Sequence, residues 1–145
     1  MLYSLISDSD VIALLGSLGR VGERNVAEIE RIMSSYFRAR DALEPISREM
    51  LLERLRSESV TLLDVRPADE FVQGHLPGAI NVPLAELDAA LARLPREHAV
   101  IAYCRGPYCV LSYEAVAALR SKGLEAYRLE AGYPEWKAAG LPIEN

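Results

Sequence analysis

Apolar positions change their spacing near residue 44, and that change divides the chain. Val11, Leu15, Leu18, Val26, Ile29, Met33 and Tyr36 recur mostly three or four apart, with a gap around Gly22 and Asn25. Charged residues, including Glu23, Arg24, Glu28, Glu30, Arg31 and Arg38, lie between them. This periodicity predicts a long amphipathic helix from Val11 to about Leu43, either continuous or two helices joined near Gly22, where glycine costs about 1 kcal/mol relative to alanine. Ser7-Asp8-Ser9-Asp10 supplies N-cap candidates and an acidic first turn. Residues 2–6 ahead of it read as one short strand. So long an apolar stripe must be covered, by a second copy packed in coiled-coil fashion or by its own domain. The first is expected, giving a homodimer through residues 11–43. Glu44-Pro45 ends the helix, since the residue before proline is pushed out of helical geometry. Residues 1–44 are thus a helical dimerisation segment and residues 45–145 a separate domain.

Beyond the boundary the elements are short and alternate. Ser47 caps a helix with Met50, Leu51, Leu52 and Leu55 on its apolar side. Residues 61–65 form a compact strand, 68–73 a helical turn, 74–78 a loop and 79–82 another short strand. Pro83 opens a helix over 84–94. A strand at 99–103, a loop and a helix to Lys122 follow, with Gly123 well placed just past that helix's end. Residues 125–129 are the last strand, and a closing helix spans about 134–139. Strands alternating with helices through short connections predict an α/β domain with a parallel sheet covered on both faces.

The apolar run Ala99-Val100-Ile101-Ala102-Tyr103 stops abruptly at Cys104, and a loop through Gly106 and Pro107 leads into the next helix. In parallel sheets, chemistry sits at the carboxyl ends of strands. A cysteine there meets loop N–H groups and the positive end of a helix, which favour the thiolate and lower its pKa from about 8.5 towards roughly 3.5–7.5. Cys104 is therefore a candidate nucleophile. Free cysteines otherwise act mostly as small apolar filler, but filler requires no glycine-proline loop after it.

Composition narrows the partners. The net charge is −5, from 16 basic and 21 acidic residues, and neither half of the chain is basic. Nothing marks a nucleic-acid or anionic-membrane surface. The apolar runs fall well short of the 18 or so residues of a membrane span, and the N-terminus has no secretory pattern. Two cysteines do not make a disulfide framework, so a reducing, cytoplasmic setting is expected.

Three blocks of the second domain carry a resemblance. Leu63-Asp64-Val65-Arg66 with Glu70-Phe71 leads to Gly74-His75-Leu76-Pro77-Gly78-Ala79-Ile80-Asn81; Tyr103-Cys104-Arg105-Gly106 follows; Gly132-Tyr133-Pro134-Glu135-Trp136 with Gly140-Leu141-Pro142 closes the chain. Together, over about residues 46–143, they resemble a rhodanese domain. The resemblance implies a five-stranded parallel sheet with helices on both faces, and Cys104 as carrier of sulfur from thiosulfate or polysulfide to cyanide or a thiol, with no cofactor.

The loop chemistry suits that role. A thiolate attacking the outer sulfur of such a donor becomes a persulfide anion. The N–H groups of Arg105, Gly106, Tyr108, Cys109 and Val110 can cradle it at a helix N-terminus, while Pro107 contributes none. Arg105 either holds an anionic donor or is a solvated surface arginine. Cysteine phosphatases of this fold carry arginine at the sixth position after the nucleophile. Val110 stands there, which speaks against phosphatase activity. Cys109 is either a resolving thiol, attacking the Cys104 persulfide to form a disulfide and free sulfide, or a helix-start residue standing in for a hydroxyl.

Asp64 and Arg66 brace the site or pair with Glu70. His75 lies in a loop that the resemblance makes structural, and His98 is expected to be exposed. Two histidines and two cysteines so placed do not match a zinc site, so no metal is expected. The N-terminal segment has a second resemblance: Leu2-Tyr3-Ser4-Leu5 leading through Ser9-Asp10-Val11 into the helix resembles the wing strand and dimerisation helix of ArsR-type winged-helix repressors, some of which continue into a rhodanese domain. The chain as given is expected not to read DNA, since the DNA-reading helices of that family have no counterpart in it, although a parent protein can carry them. The sequence thus supports a sulfurtransferase or a sulfane-sulfur and redox-sensing module of such a regulator, with a catalytically silent interaction domain as a weaker third.

Overall fold

The computed structural model describes residues 8–25, 45–57, 60–107 and 109–145. The chain divides into two units, Met1–Ala42 and Leu43–Asn145. In the first, helix α1 (Asp8–Asn25) runs without a break past Gly22. It leaves Val11, Leu14, Leu15, Leu18 and Val21 exposed. The expected strand at 2–6 and the helix beyond Asn25 lie outside the described residues. Among the described residues, no helix is long and apolar enough to cross a membrane.

The second unit is an α/β sandwich. Among the described residues, β1 (Pro45–Ile46), β2 (Val60–Asp64), β3 (Ile80–Asn81), β4 (Ala99–Tyr103) and β5 (Ala126–Leu129) make one sheet in the order β1-β5-β4-β2-β3. Every pairing is parallel. The central pair is in register from Val60↔Ala99 to Asp64↔Tyr103, which sets the ends of β2 and β4 side by side. All five residues of β4 are buried, as an apolar run covered on both faces requires. Its alternation sorts them: Val100, Ala102 and Cys104 join one core with Ala115, Val116 and Leu119, while Ile101 and Tyr103 join the other with Leu51, Leu76 and Trp136.

The helices follow their local signals. Ser47 caps α2 (Arg48–Arg56), its Oγ accepting the Met50 N–H at 3.2 Å. A short turn, α3 (Ala68–Phe71), follows β2. The segment expected as one helix over 84–94 is instead a 3₁₀ turn (Leu84–Glu86), a single α-helical turn, α4 (Leu87–Ala90), and a second 3₁₀ turn (Leu91–Arg93). Helix α5 (Val110–Ser121) ends before Gly123, whose φ of +79° suits glycine alone at little cost. Helix α6 (Tyr133–Ala138) packs Trp136 into the second core, and the Trp136 indole N–H donates to the Pro142 carbonyl at 2.7 Å. The edge strand β1 departs from expectation: two residues beginning with proline carry no periodic signal, and proline is tolerated because β1 is an edge strand.

Candidate active site

Cys104 follows β4 directly and is 1% exposed. Its carbonyl accepts the Tyr133 N–H at 3.0 Å, which ties the loop to the start of α6. Gly106, at φ +155°, turns the loop, and the Cys109 N–H donates to its carbonyl at 3.1 Å. Gly132 lies flat against this backbone. A Cβ on Gly132 would overlap main-chain atoms of Cys104, Arg105 and Gly106. The Glu135 carboxylate secures the same junction by accepting the Gly132 N–H at 2.9 Å.

The loop brings the two cysteines together. Cys104 and Cys109 form a disulfide with their Cα atoms 6.3 Å apart. Cys109 occupies the N-cap of α5, yet its side chain makes no capping hydrogen bond. Its sulfur is bonded to Cys104 instead. The cradle differs from expectation, since the Cys109 N–H is engaged within the loop by Gly106. Pro107 and the half-exposed Val110 complete the loop; Tyr108 lies outside the described residues.

Arg105 is neither a lone solvated cation nor an open anion clamp. Its Nε donates to both Glu70 oxygens, at 2.9 and 3.1 Å, and its Nη2 also bonds Oε1. The hydrogen bond from Arg105 holds the Glu70 carboxyl below its ordinary pKa. Asp64 and Arg66 pair chiefly with each other, both buried: Nη2 reaches Oδ2 at 2.7 Å and Nε reaches Oδ1 at 3.0 Å. Glu70 is a distant third member, 4.0 Å from Arg66 Nη1. Arg66 also donates to the Gly74 carbonyl at 2.8 Å, and its guanidinium lies 4.3 Å above the Tyr133 ring. These contacts join the end of β2 to Tyr133 at the start of α6, whose N–H donates to the Cys104 carbonyl.

His75 is buried and packed within its own segment. Its ring stacks on Phe71, its Nδ1 lies 3.0 Å from the Phe71 carbonyl, and its backbone pairs with Glu144. His98 is half-buried rather than exposed. Among the described residues, no group of three or more His, Cys, Asp or Glu side chains is placed to hold a metal ion. Two residues that the sequence reading passed over shape the surroundings. The Tyr103 hydroxyl accepts the Leu76 N–H at 3.1 Å, and burial pushes its phenol pKa far up, so it stays protonated. Arg128 is buried over the Tyr113 ring at 4.3 Å, and burial lowers its pKa.

This sheet order, with a cysteine loop between β4 and α5, is accompanied by a match to the Rhodanese-like domain family over residues 47–139. The chain belongs to that family. An HTH-type transcriptional regulator of Mycobacterium tuberculosis is 39% identical over 143 residues, covering 99% of this chain and 62% of that protein. The chain thus spans about three-fifths of that relative's length. A sulfurtransferase of Allochromatium vinosum is 34% identical over 100 residues, covering 68% of this chain and 92% of its own. Among solved structures, a rhodanese-related protein of Thermoplasma volcanium superposes with a TM-score of 0.62 at 29% identity, covering 70% of this chain and 97% of that one.

Proposed function

We propose that this protein is a sulfurtransferase that carries sulfane sulfur as a Cys104 persulfide. The observation that carries the reading is the position of Cys104, at the end of β4 in the loop that opens α5, within a rhodanese-like domain. In the reduced form, the Cys104 thiolate attacks the outer sulfur of thiosulfate, the S–S bond of the donor breaks, and sulfite leaves with the bonding pair. A polysulfide reacts the same way, with a shorter polysulfide leaving. The persulfide's outer sulfur then passes to cyanide, giving thiocyanate, or to a thiol, giving its persulfide, and the Cys104 thiolate is restored. The N-terminus of α5 supports the anionic intermediate through its orphan N–H groups and its dipole. Intact mass after thiosulfate treatment tests this. The reduced protein should gain one sulfur atom, lose it to cyanide, and gain none as Cys104→Ser; a gain that persists in Cys104→Ser would refute the assignment.

A second reading is favoured by the regulator from Mycobacterium tuberculosis, which aligns with nearly the whole chain. In it, sulfur or redox chemistry at Cys104 modulates a regulatory protein of the reducing cytoplasm, which dimerises through residues 11–43. The exposed Leu14, Leu15, Leu18 and Val21 of α1 suit that role. This reading predicts modification of Cys104 without turnover, together with a shift in oligomer geometry that gel filtration or scattering would register.

A further inference from the structure

We infer that Cys109 is the resolving thiol of the Cys104 persulfide, so that the protein reduces the sulfur it accepts and releases it as sulfide. This rests on the sulfurtransferase reading above and extends it to a second activity of the same loop.

Three observations point to it. The Cα separation of 6.3 Å lies within the roughly 4.4–6.8 Å that a disulfide spans, and the structure bonds the two sulfurs. The separation is preset, because the loop between them is turned at Gly106, closed by the Cys109 N–H on the Gly106 carbonyl, and backed by Gly132. Cys109 also sits where serine, threonine, aspartate or asparagine would cap α5, and its sulfur is turned to Cys104 instead. A thiol at a helix N-terminus is the more readily ionised there. In the disulfide Cys104 is buried and Cys109 half-buried.

The step balances without an external oxidant. The Cys109 thiolate attacks Cys104 Sγ, the Cys109–Cys104 S–S bond forms, and the bond from Cys104 Sγ to the outer sulfur breaks. The outer sulfur leaves with the electron pair and takes up the proton lost by Cys109, departing as hydrosulfide. Donor sulfur is reduced, the two cysteines are oxidised, and a dithiol reductant resets the pair.

The test treats reduced, reductant-free full chain with equimolar thiosulfate and no acceptor, then measures sulfite, sulfide and intact mass. Wild type should release sulfite and sulfide in equal amounts and end two hydrogens lighter. In Cys109→Ser and Cys109→Ala the added sulfur should remain on the protein. Sulfide should fall by roughly tenfold or more, because the intramolecular attack is gone. Wild type that retains its added sulfur and yields no more sulfide than Cys109→Ser overturns the inference while leaving the carrier role of Cys104 intact. Absence of both sulfite and added sulfur in all three proteins overturns the carrier role, and this inference with it.

Discussion

Arg105, the residue after the candidate nucleophile, is held by Glu70 of α3, 35 positions earlier in the chain, through both carboxylate oxygens. The pair links the cysteine loop to the segment after β2. It also neutralises the cation nearest in sequence to Cys104, so the site offers an incoming anion less positive charge than the sequence suggests.

Glu70→Gln should therefore assist an anionic donor. A unit charge acting through water over several ångströms is worth about 0.5 kcal/mol, so kcat/KM for thiosulfate should rise about twofold at low ionic strength and return towards wild type in high salt. Arg105 is half-exposed, and an exposed pair of this kind contributes about 0–1 kcal/mol. The thermal midpoint should move little. Kinetics at two salt concentrations, with melting curves beside them, would decide; a fall in kcat/KM would show that Glu70 positions Arg105 productively.

The same pair sets a pH dependence. Hydrogen bonding from Arg105 depresses the Glu70 pKa in the folded state. A carboxyl with a lowered folded pKa contributes its stability above the unfolded value of about 4.3 and loses it as pH falls through the folded value. The coupling between Glu70→Gln and Arg105→Gln in a double-mutant cycle should thus be present at neutral pH and vanish only in acid below the lowered folded value. Denaturant titrations at both pH values measure it, and a coupling that survives acid would contradict the assignment.

Asp64 and Arg66 present the opposite case. Both are buried, so truncating one partner leaves the other charge without compensation. Asp64→Ala should cost about 3–5 kcal/mol. Asp64→Asn, which retains an acceptor for the Arg66 N–H, should cost less. Urea unfolding of the two variants would check the order. Equal losses would mean that charge, rather than shape or a retained acceptor, governs the position.

Gly132→Ala separates loop placement from fold stability. Its φ of −103° is open to alanine, so any effect is steric and not conformational. The added methyl meets backbone of Cys104, Arg105 and Gly106, which must shift. Such overpacking costs typically about 1–3 kcal/mol. The domain should stay folded by circular dichroism while sulfur loading of Cys104 drops sharply. Unchanged loading would show that the loop tolerates displacement.

What the sequence disclosed, and what it hid, follows from the range of each signal. The site's scaffold was legible because β4 is five consecutive apolar residues stopped by a cysteine, and because Asp64 and Arg66 are near neighbours on one strand end. The Arg105–Glu70 pair was not, since nothing local links residues 35 apart. The break of 84–94 into three short turns escaped because apolar spacing of three and four suits 3₁₀ and α geometry alike. Arg128 was overlooked as a charged residue. Period-two alternation from buried Ala126 would have placed it on the covered face beside Tyr113. The spacing of Cys104 and Cys109 left their distance open; the turn at Gly106 and the Cys109 N–H on its carbonyl accompany a Cα separation of 6.3 Å.

The disulfide itself predicts a redox requirement. With Cys104 bonded to Cys109, Cys104 has no thiolate to offer a sulfur donor. Protein oxidised before assay should therefore take up no sulfur from thiosulfate, and a dithiol such as dithiothreitol should restore uptake after a lag set by reduction. Cys109→Ser cannot form this bond, so the same mild oxidant should produce no comparable reversible block in it. Sulfur uptake by intact mass, followed through an oxidation and reduction cycle in both proteins, would check this. If oxidised wild type loads sulfur as readily as reduced, the disulfide does not guard the site. If Cys109→Ser is blocked and rescued in the same way, the block arises from some other oxidation of Cys104, which would place Cys104 itself on the sulfenic acid branch of thiol oxidation.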